Sequence, residues 1–492
     1  MSKIFEQDCP GFKTEGFAVA VMIMVGAILR GWRVFLAPPW YDEAFTVVLA
    51  RLPFLQMIQA TRGDVHPPLY YALVSALDGV YIRAFSVVCS VAAMFVFWLV
   101  LRCLGLGTGG RLLALAMLAF AEPQLWYAGE ARMYAWMELL VLSIWLAILT
   151  RRWWVMGVLS ALLLYTHNYA PLYLAVLAMV ALAGELRRPR HFYVPPAVDT
   201  GQPEGYGQSE NVIRSFLAAG LVYLPWFVWG QVSQLNSMGG HWTQAVSGIV
   251  QISNMQSILF GRFLSNGLQL IAILVMAGGS ALLFRWAFRN HRVSVLALAF
   301  GPVILLALIS VLWRPVWLPR GILPAMPAMY ALIAESISTA PIQRRLVLIG
   351  ILGPLFVTST VGHIGMVSVG AVKFDPLAYR TDLNITPGVP VVHNSDFSLV
   401  TWAAEFGPEN QYLMISECQS EPGSLTTLTR SAMELKTIET LPEDFYLVGT
   451  LNGLSNLCKE QELERITTTA EPMIVEPNQF GITGVWSVQN GN

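Results

Sequence analysis

The sequence predicts a mainly α-helical membrane protein: a polytopic bundle of about eleven spans, with a small α/β domain outside the membrane at its C-terminal end. Three observations predict it. Of the 492 residues, 55% are hydrophobic and only 12% charged, about half the roughly 25% usual in soluble domains, and mean hydropathy is +0.56. Apolar runs of about the 17–25 residues that cross a bilayer recur through the first three quarters of the chain. From Lys373 onward the texture changes to that of a soluble protein, with 16 acidic and 6 basic residues among totals of 31 and 30.

The elements follow in order. Residues 1–16 carry Glu6, Asp8 and Glu15 and are too acidic for the opening of a signal peptide. The apolar run from Phe17 to Leu29 leads into Arg30, Gly31, Trp32 and Arg33 without a small-residue cleavage site, so it reads as an uncleaved first span. An opening loop, residues 38–80, comes next, partly helical around Leu52–Gln59 and broken at Pro67-Pro68. Further spans are expected near 82–101, 112–121, 135–150, 153–166, 171–185, 215–229, 266–284, 293–312, 321–339 and 346–370. The stretch 187–214 is rich in Pro, Gly and Gln and reads as a linker.

Orientation follows from the loops, because short cytoplasmic loops retain Lys and Arg. Alternate loops hold Arg102 and Arg111, then Arg151 and Arg152, then Arg187 to Arg214, then Arg285, Arg289 and Arg292, then Arg344 and Arg345. These read as cytoplasmic, with the N-terminus. The opening loop, the loop from Glu122 to Tyr134, the turn at His167-Asn168, the loop 231–265 and residues 313–320 fall outside. An odd number of spans puts residues 373–492 outside as well, on the far face of a plasma (inner) membrane. There the runs VPVVHNS, QYLMIS, DFYLVG and ITGVWSV read as strands. The acidic balance of that section argues against nucleic acid as a partner. Among the five cysteines no metal-type spacing occurs; Cys418 and Cys458 either pair, in an oxidising compartment, or stay as two thiols.

Charged residues gather at the outer side. The opening loop holds Asp42, Glu43, Asp64 and His66. Acids beside spans have a task or a partner, since an acid at mid-bilayer costs roughly 2.5–3.5 kcal/mol. Asp42-Glu43 is either a solvated pair, an ion pair with Arg33, or a general base. Asp64 and His66 are two apart and share a side in extended backbone, and the two prolines after them fix a loop. WYAGEARMYAW, residues 126–136, puts Glu130, Arg132 and Tyr134 at the outer start of a span. Arg132, Arg262, Arg314 and Arg320 all lie on the side that the positive-inside tendency disfavours. They are interfacial anchors or phosphate ligands, for which the guanidinium fork is well shaped, and Arg320 is the first choice for a phosphate. Such a set suits displacement of a leaving group that departs as a phosphate. One base is needed for an acceptor hydroxyl, and cations for the phosphate, but no acid.

Three motifs in this order carry a resemblance: Tyr41-Asp42-Glu43-Ala44, Asp64-Val65-His66-Pro67-Pro68-Leu69-Tyr70-Tyr71, and Glu130-Ala131-Arg132-Met133-Tyr134. Together they resemble the GT-C superfamily of membrane glycosyltransferases, in particular its bacterial branch related to protein O-mannosyltransferases and lipid A aminoarabinose transferases. The resemblance covers residues 17–370. It implies a GT-C transmembrane catalytic domain, residues 1–372, followed by the soluble domain, 373–492. It implies Asp42 as catalytic base with Glu43 and Asp64 shaping the site, and it matches His66 to the histidine of the O-mannosyltransferases' His-Pro-Pro-Leu motif. Glu130, Arg132 and Tyr134 would line the donor cavity, and Arg320 resembles the late arginine of an Arg-aromatic-x-x-Pro motif, although Gly321 stands where the aromatic is expected. The implied donor is a polyprenyl-phosphate sugar, and the acceptor a hydroxyl on a glycan, a lipid or a protein. Some relatives bind a divalent metal, for which Glu43, His66 and His241 are the candidate ligands. Two other classes compete: a lipid or glycan transporter, whose sites tend to lie near the midplane on interrupted helices, often with repeats, and an inactive scaffold with a polysaccharide-binding domain.

Overall fold

The computed structural model describes residues 12–36, 40–77, 79–183, 208–237, 248–368, 385–393, 396–414, 427–438, 442–450, 470–478 and 481–488. In chain order the helices begin with α1 (Phe12–Leu36), α2 (Tyr41–Arg51), α3 (Phe54–Thr61), α4 (Leu69–Val74), α5 (Val80–Cys103) and α6 (Thr108–Phe120). Next come α7 (Glu122–Ala128), α8 (Tyr134–Leu149), α9 (Trp153–Leu164), α10 (Ala170–Leu182) and α11 (Gln208–Trp226). A π turn, Phe227–Gln231, leads into α12 (Val232–Ser237), followed by α13 (Gly248–Phe260), α14 (Asn266–Arg289) and α15 (Val293–Leu312). A 3-10 segment, Pro319–Ala325, precedes α16 (Met326–Ser338) and α17 (Ile342–Ser368). The C-terminal section has β1 (Val391–His393), α18 (Asp396–Phe406), β2 (Gln411–Met414), α19 (Thr427–Ala432), β3 (Lys436–Ile438), β4 (Phe445–Thr450), β5 (Ala470–Asn478) and β6 (Gly481–Val488). Among the described residues, seven helices are long and apolar enough to cross a bilayer, and four shorter apolar helices match other expected spans. The helical membrane bundle with a small C-terminal sheet is the architecture that the sequence predicts.

The chain divides into two compact units. One comprises Met1–Leu36, Arg83–Pro225 and Thr243–Gly370; the other Ala37–Ile82, Trp226–Trp242 and Ala371–Asn492. The residues after 370 therefore share a unit with the opening loop.

Of the seven long spans, Pro319–Ser338 is the most buried, 78% against 11% for Asn266–Arg289. Its α16 packs on α6 and α15. A Cβ at Gly110 of α6 would lie 2.8 Å from Ser338 Oγ, so the two backbones approach closely, as small residues allow in membrane bundles. Three arginines of the expected cytoplasmic loops are paired near helix ends of the first unit. Arg111 pairs with Glu15 at 2.6 Å, Arg292 Nε donates to Glu335 Oε1 at 3.0 Å, and Arg345 donates to the Ser338 carbonyl at 2.6 Å. Arg30, expected to mark the outer end of the first span, is instead fully buried. It donates to Ser90 Oγ at 2.9 Å and to the Leu118 and Ala119 carbonyls at 2.8 Å. Those carbonyls end α6 and have no partner further along the helix, so a cation is favoured there.

In the second unit a six-stranded sheet runs β3-β2-β1-β4-β6-β5. The first four strands are parallel and β6 pairs antiparallel with both neighbours. Val391, Trp402, Tyr446, Val448 and Val485 form its core. From the opening loop, α2 packs against α18 and α3 against α19. Arg51, in the last turn of α2, donates to the Ala404 carbonyl at 2.6 Å, and Thr429 Oγ1 donates to the Ala60 carbonyl at 3.1 Å. Pro225 deprives the helix of one backbone donor, and the ladder widens into the π turn just after it. From the helix that follows, Gln234 Nε2 donates to the Thr61 and His66 carbonyls at 2.7 and 2.9 Å.

Candidate active site

The acids of the opening motif sit on a helix rather than in a loop. Asp42 and Glu43 fill the first turn of α2, where the exposed N–H groups and the positive end of the helix dipole favour carboxylates. Glu43 is fully buried, and its Oε2 accepts the Trp40 backbone N–H at 3.3 Å. This is the reaching-back half of a capping box, which gives Glu43 a structural task. Asp42 keeps a partly exposed side chain one residue earlier. Phe45, one turn along α2, meets Tyr71 edge-on at 6.3 Å.

Tyr71 in turn ties in the second motif. Its hydroxyl donates to Asp64 Oδ2 at 3.2 Å, and His66 Nδ1 lies 3.4 Å from the same oxygen. Asp64 and His66 thus lie side by side, but in a bend rather than the extended backbone on which the spacing argument rests, before Pro67, Pro68 and α4. Arg62, on the same stretch, donates from Nε to the Trp229 carbonyl at 3.3 Å and stacks 4.3 Å from the Trp229 ring.

The third motif and the late arginine come together in the first unit. The stretch from Glu122 reads from sequence as a loop; it is a short helix, α7, buried at every residue. Glu130 accepts from Trp126 Nε1 at 2.7 Å and is fully buried. Arg132 is 3% exposed, and its carbonyl accepts from Ser86 Oγ at 3.3 Å. Tyr134 opens α8 with its ring 5.5 Å from Tyr127, and the Arg320 guanidinium lies 5.7 Å from the Tyr134 ring. Arg262 lies 3.8 Å above the Trp126 ring and 5.7 Å from Tyr127, and donates to Glu122 Oε1 at 3.0 Å. Two guanidiniums thus border a wall of Trp126, Tyr127 and Tyr134.

Gly321, the departure from the expected motif, has a steric cause. A Cβ there would lie 2.0 Å from Tyr169 Cε2. An aromatic ring already fills that space, contributed by the turn between α9 and α10. Sequence reasoning missed this tyrosine, and it missed Glu122 and His363 beside Arg262, where His363 Nδ1 is 3.8 Å from Glu122 Oε1. It missed Glu138 too, fully buried and accepting from Gln124 Nε2 at 3.0 Å. An acid inside the run 135–150 was the available signal.

Two of the three metal candidates lie among the described residues. Glu43 is occupied by its cap, His66 faces Asp64, and His241 lies outside the described residues, as do Cys418, Cys458 and the linker up to residue 207. Among the described residues no three His, Cys, Asp or Glu side chains converge.

No family model and no curated protein matches the sequence. Two solved structures of ArnT from Cupriavidus metallidurans are similar along nearly the whole chain. The apo state has a TM-score of 0.59 at 12% identity, covering 96% of this chain and 97% of that one. The state bound to undecaprenyl phosphate has a TM-score of 0.58 at 12% identity, with the same coverage. At this identity the likeness shows the fold, a GT-C fold of the ArnT type.

Proposed function

We propose that this chain is a membrane glycosyltransferase that moves a sugar from a polyprenyl-phosphate donor to an acceptor hydroxyl on the outer face of the plasma (inner) membrane. Asp42 is the general base. It takes the proton of the acceptor hydroxyl while that oxygen bonds to the anomeric carbon from the face opposite the phosphate. The carbon–oxygen bond to phosphate breaks, polyprenyl phosphate leaves with the electron pair, and the anomeric configuration inverts. A base placed in this way contributes about 10²–10⁴-fold. Arg320 and Arg262 balance the charge that grows on the phosphate, Tyr134 and its neighbours bound the donor head, and the Asp64–His66 pair shapes the site from the second motif.

The observation that carries this reading is the pair of guanidiniums around Trp126, Tyr127 and Tyr134, on a fold shared end to end with a protein crystallised with undecaprenyl phosphate bound. Residues 1–372 are then the catalytic membrane domain and 373–492 the soluble outer domain, with the N-terminus in the cytoplasm. Two features support this sidedness. Arg111, Arg292 and Arg345 of the expected cytoplasmic loops pair with Glu15, Glu335 and the Ser338 carbonyl, all near helix ends of the first unit, and the residues after 370 share a unit with the opening loop, as an odd number of spans requires.

The test is to supply purified protein in detergent with radiolabelled polyprenyl-phosphate hexoses and pentoses and an envelope extract as acceptor. The expected result is transfer of label out of the lipid and release of free polyprenyl phosphate with one of them. A transporter would leave every lipid intact, and that outcome overturns the reading.

A further inference from the structure

We propose that Tyr169 is a positioning residue for Arg320, holding the guanidinium where a lipid phosphate is gripped. The inference rests on the reading of Arg320 as a phosphate contact and adds a device that keeps it in place.

Arg320 lies in the 3-10 segment that connects to α16, a stretch with four prolines between 315 and 327 and few helical hydrogen bonds of its own. Something else must fix it, since a mobile guanidinium gives up ordering entropy each time it binds. The first turn of α10 does so on both sides. The Tyr169 hydroxyl donates to the Val316 carbonyl, four residues before the arginine. The Tyr173 hydroxyl donates to the Gly321 carbonyl at 2.8 Å, directly after it. The ring of Tyr169 occupies the place of a side chain at 321, with Cε2 and Cδ2 only 2.0 and 2.4 Å from where a Cβ would stand. Its other contact is His167, ring to ring at 4.8 Å, and His167 meets Tyr134 at 6.0 Å. Tyr134 is the ring that Arg320 faces. Tyr169 is thus tied both to the segment that carries Arg320 and, through His167, to the ring that Arg320 faces. The Tyr169 backbone N–H donates to His167 Nδ1 at 3.0 Å, which sets the imidazole in that chain.

A plain core tyrosine would serve folding and leave phosphate selectivity alone. The experiment therefore compares binding of undecaprenyl phosphate with binding of undecaprenol, which lacks the phosphate, to the purified full chain in detergent. Arg320→Ala is the reference, expected to lose about tenfold or more for undecaprenyl phosphate, the scale of a charge-assisted hydrogen bond, with undecaprenol unchanged. Tyr169→Ala is expected to lose phosphate selectivity in the same direction, and Tyr169→Phe to lose less. Gly321→Phe alone clashes with the ring and should also lose it. The double variant Tyr169→Ala with Gly321→Phe, which refills the space from the other side, should recover most of it. Should Arg320→Ala lose selectivity while Tyr169→Phe, Tyr169→Ala and the double variant all keep it, the positioning role is wrong. Should Arg320→Ala itself keep it, the phosphate site lies elsewhere and both readings fall.

Discussion

Adjacent acids in this chain have different work because their surroundings differ. Glu43 reaches back to Trp40 at the start of α2, whereas Asp42, the proposed base, has a half-buried side chain. A similar contrast separates the histidines. His66 is set beside an acid, while His393 is fully buried between Ser398 Oγ at 3.1 Å and Gln411 Oε1 at 2.7 Å. Burial holds the His393 imidazole well below its ordinary 6.5, at about 4, even though the Gln411 bond pulls the other way. Between those values the unfolded chain binds a proton that the folded domain refuses, so stability rises with pH there. The contribution is complete above about 6.5 and is lost as pH falls through about 4, on the order of 3 kcal/mol in all. Thermal melting followed by tryptophan fluorescence should show the domain weakening from pH 6.5 to 4.5, and His393→Gln should flatten that dependence. Equal slopes for the two proteins would contradict it.

At the scale of elements, α2 carries the proposed base and is seated on α18. Arg51 is the link, pairing the last turn of α2 with a carbonyl of α18, where a cation also suits the negative ends of both helices. Arg51→Ala should speed hydrogen exchange over Tyr41–Arg51 and lower turnover several-fold, roughly what the loss of about 1–2 kcal/mol in holding a catalytic group produces. Unchanged exchange with unchanged turnover would detach the C-terminal section from the chemistry. Legibility at this scale varied with local cause. Helical spans announced themselves by apolar length, but the opening loop hid α2 because its helix follows two prolines and buries eight residues in a row. Four of the six strands were readable. Of the others, β3 has three residues, and β5 contains Pro472 and Pro477, which argue against a strand yet are tolerated on the edge of the sheet.

Over the whole molecule, the acids and the arginines belong to different units: Asp42, Glu43, Asp64 and His66 to one, Glu130, Arg132, Tyr134 and Arg320 to the other. The residue types were legible because charge is rare in so apolar a chain, and their motifs stood out against it. The supporting side chains were not. Tyr169, Glu122 and His363 are ordinary in sequence and take on meaning only through neighbours 147, 140 and 241 positions away. The proposed roles, donor binding by the arginines and proton abstraction by Asp42, are separable by experiment. The most direct measurement compares wild type with Asp42→Asn for both undecaprenyl phosphate affinity and release of labelled sugar from the donor. Asp42→Asn is expected to keep its affinity with turnover abolished; normal turnover by this variant would remove Asp42 from the chemistry.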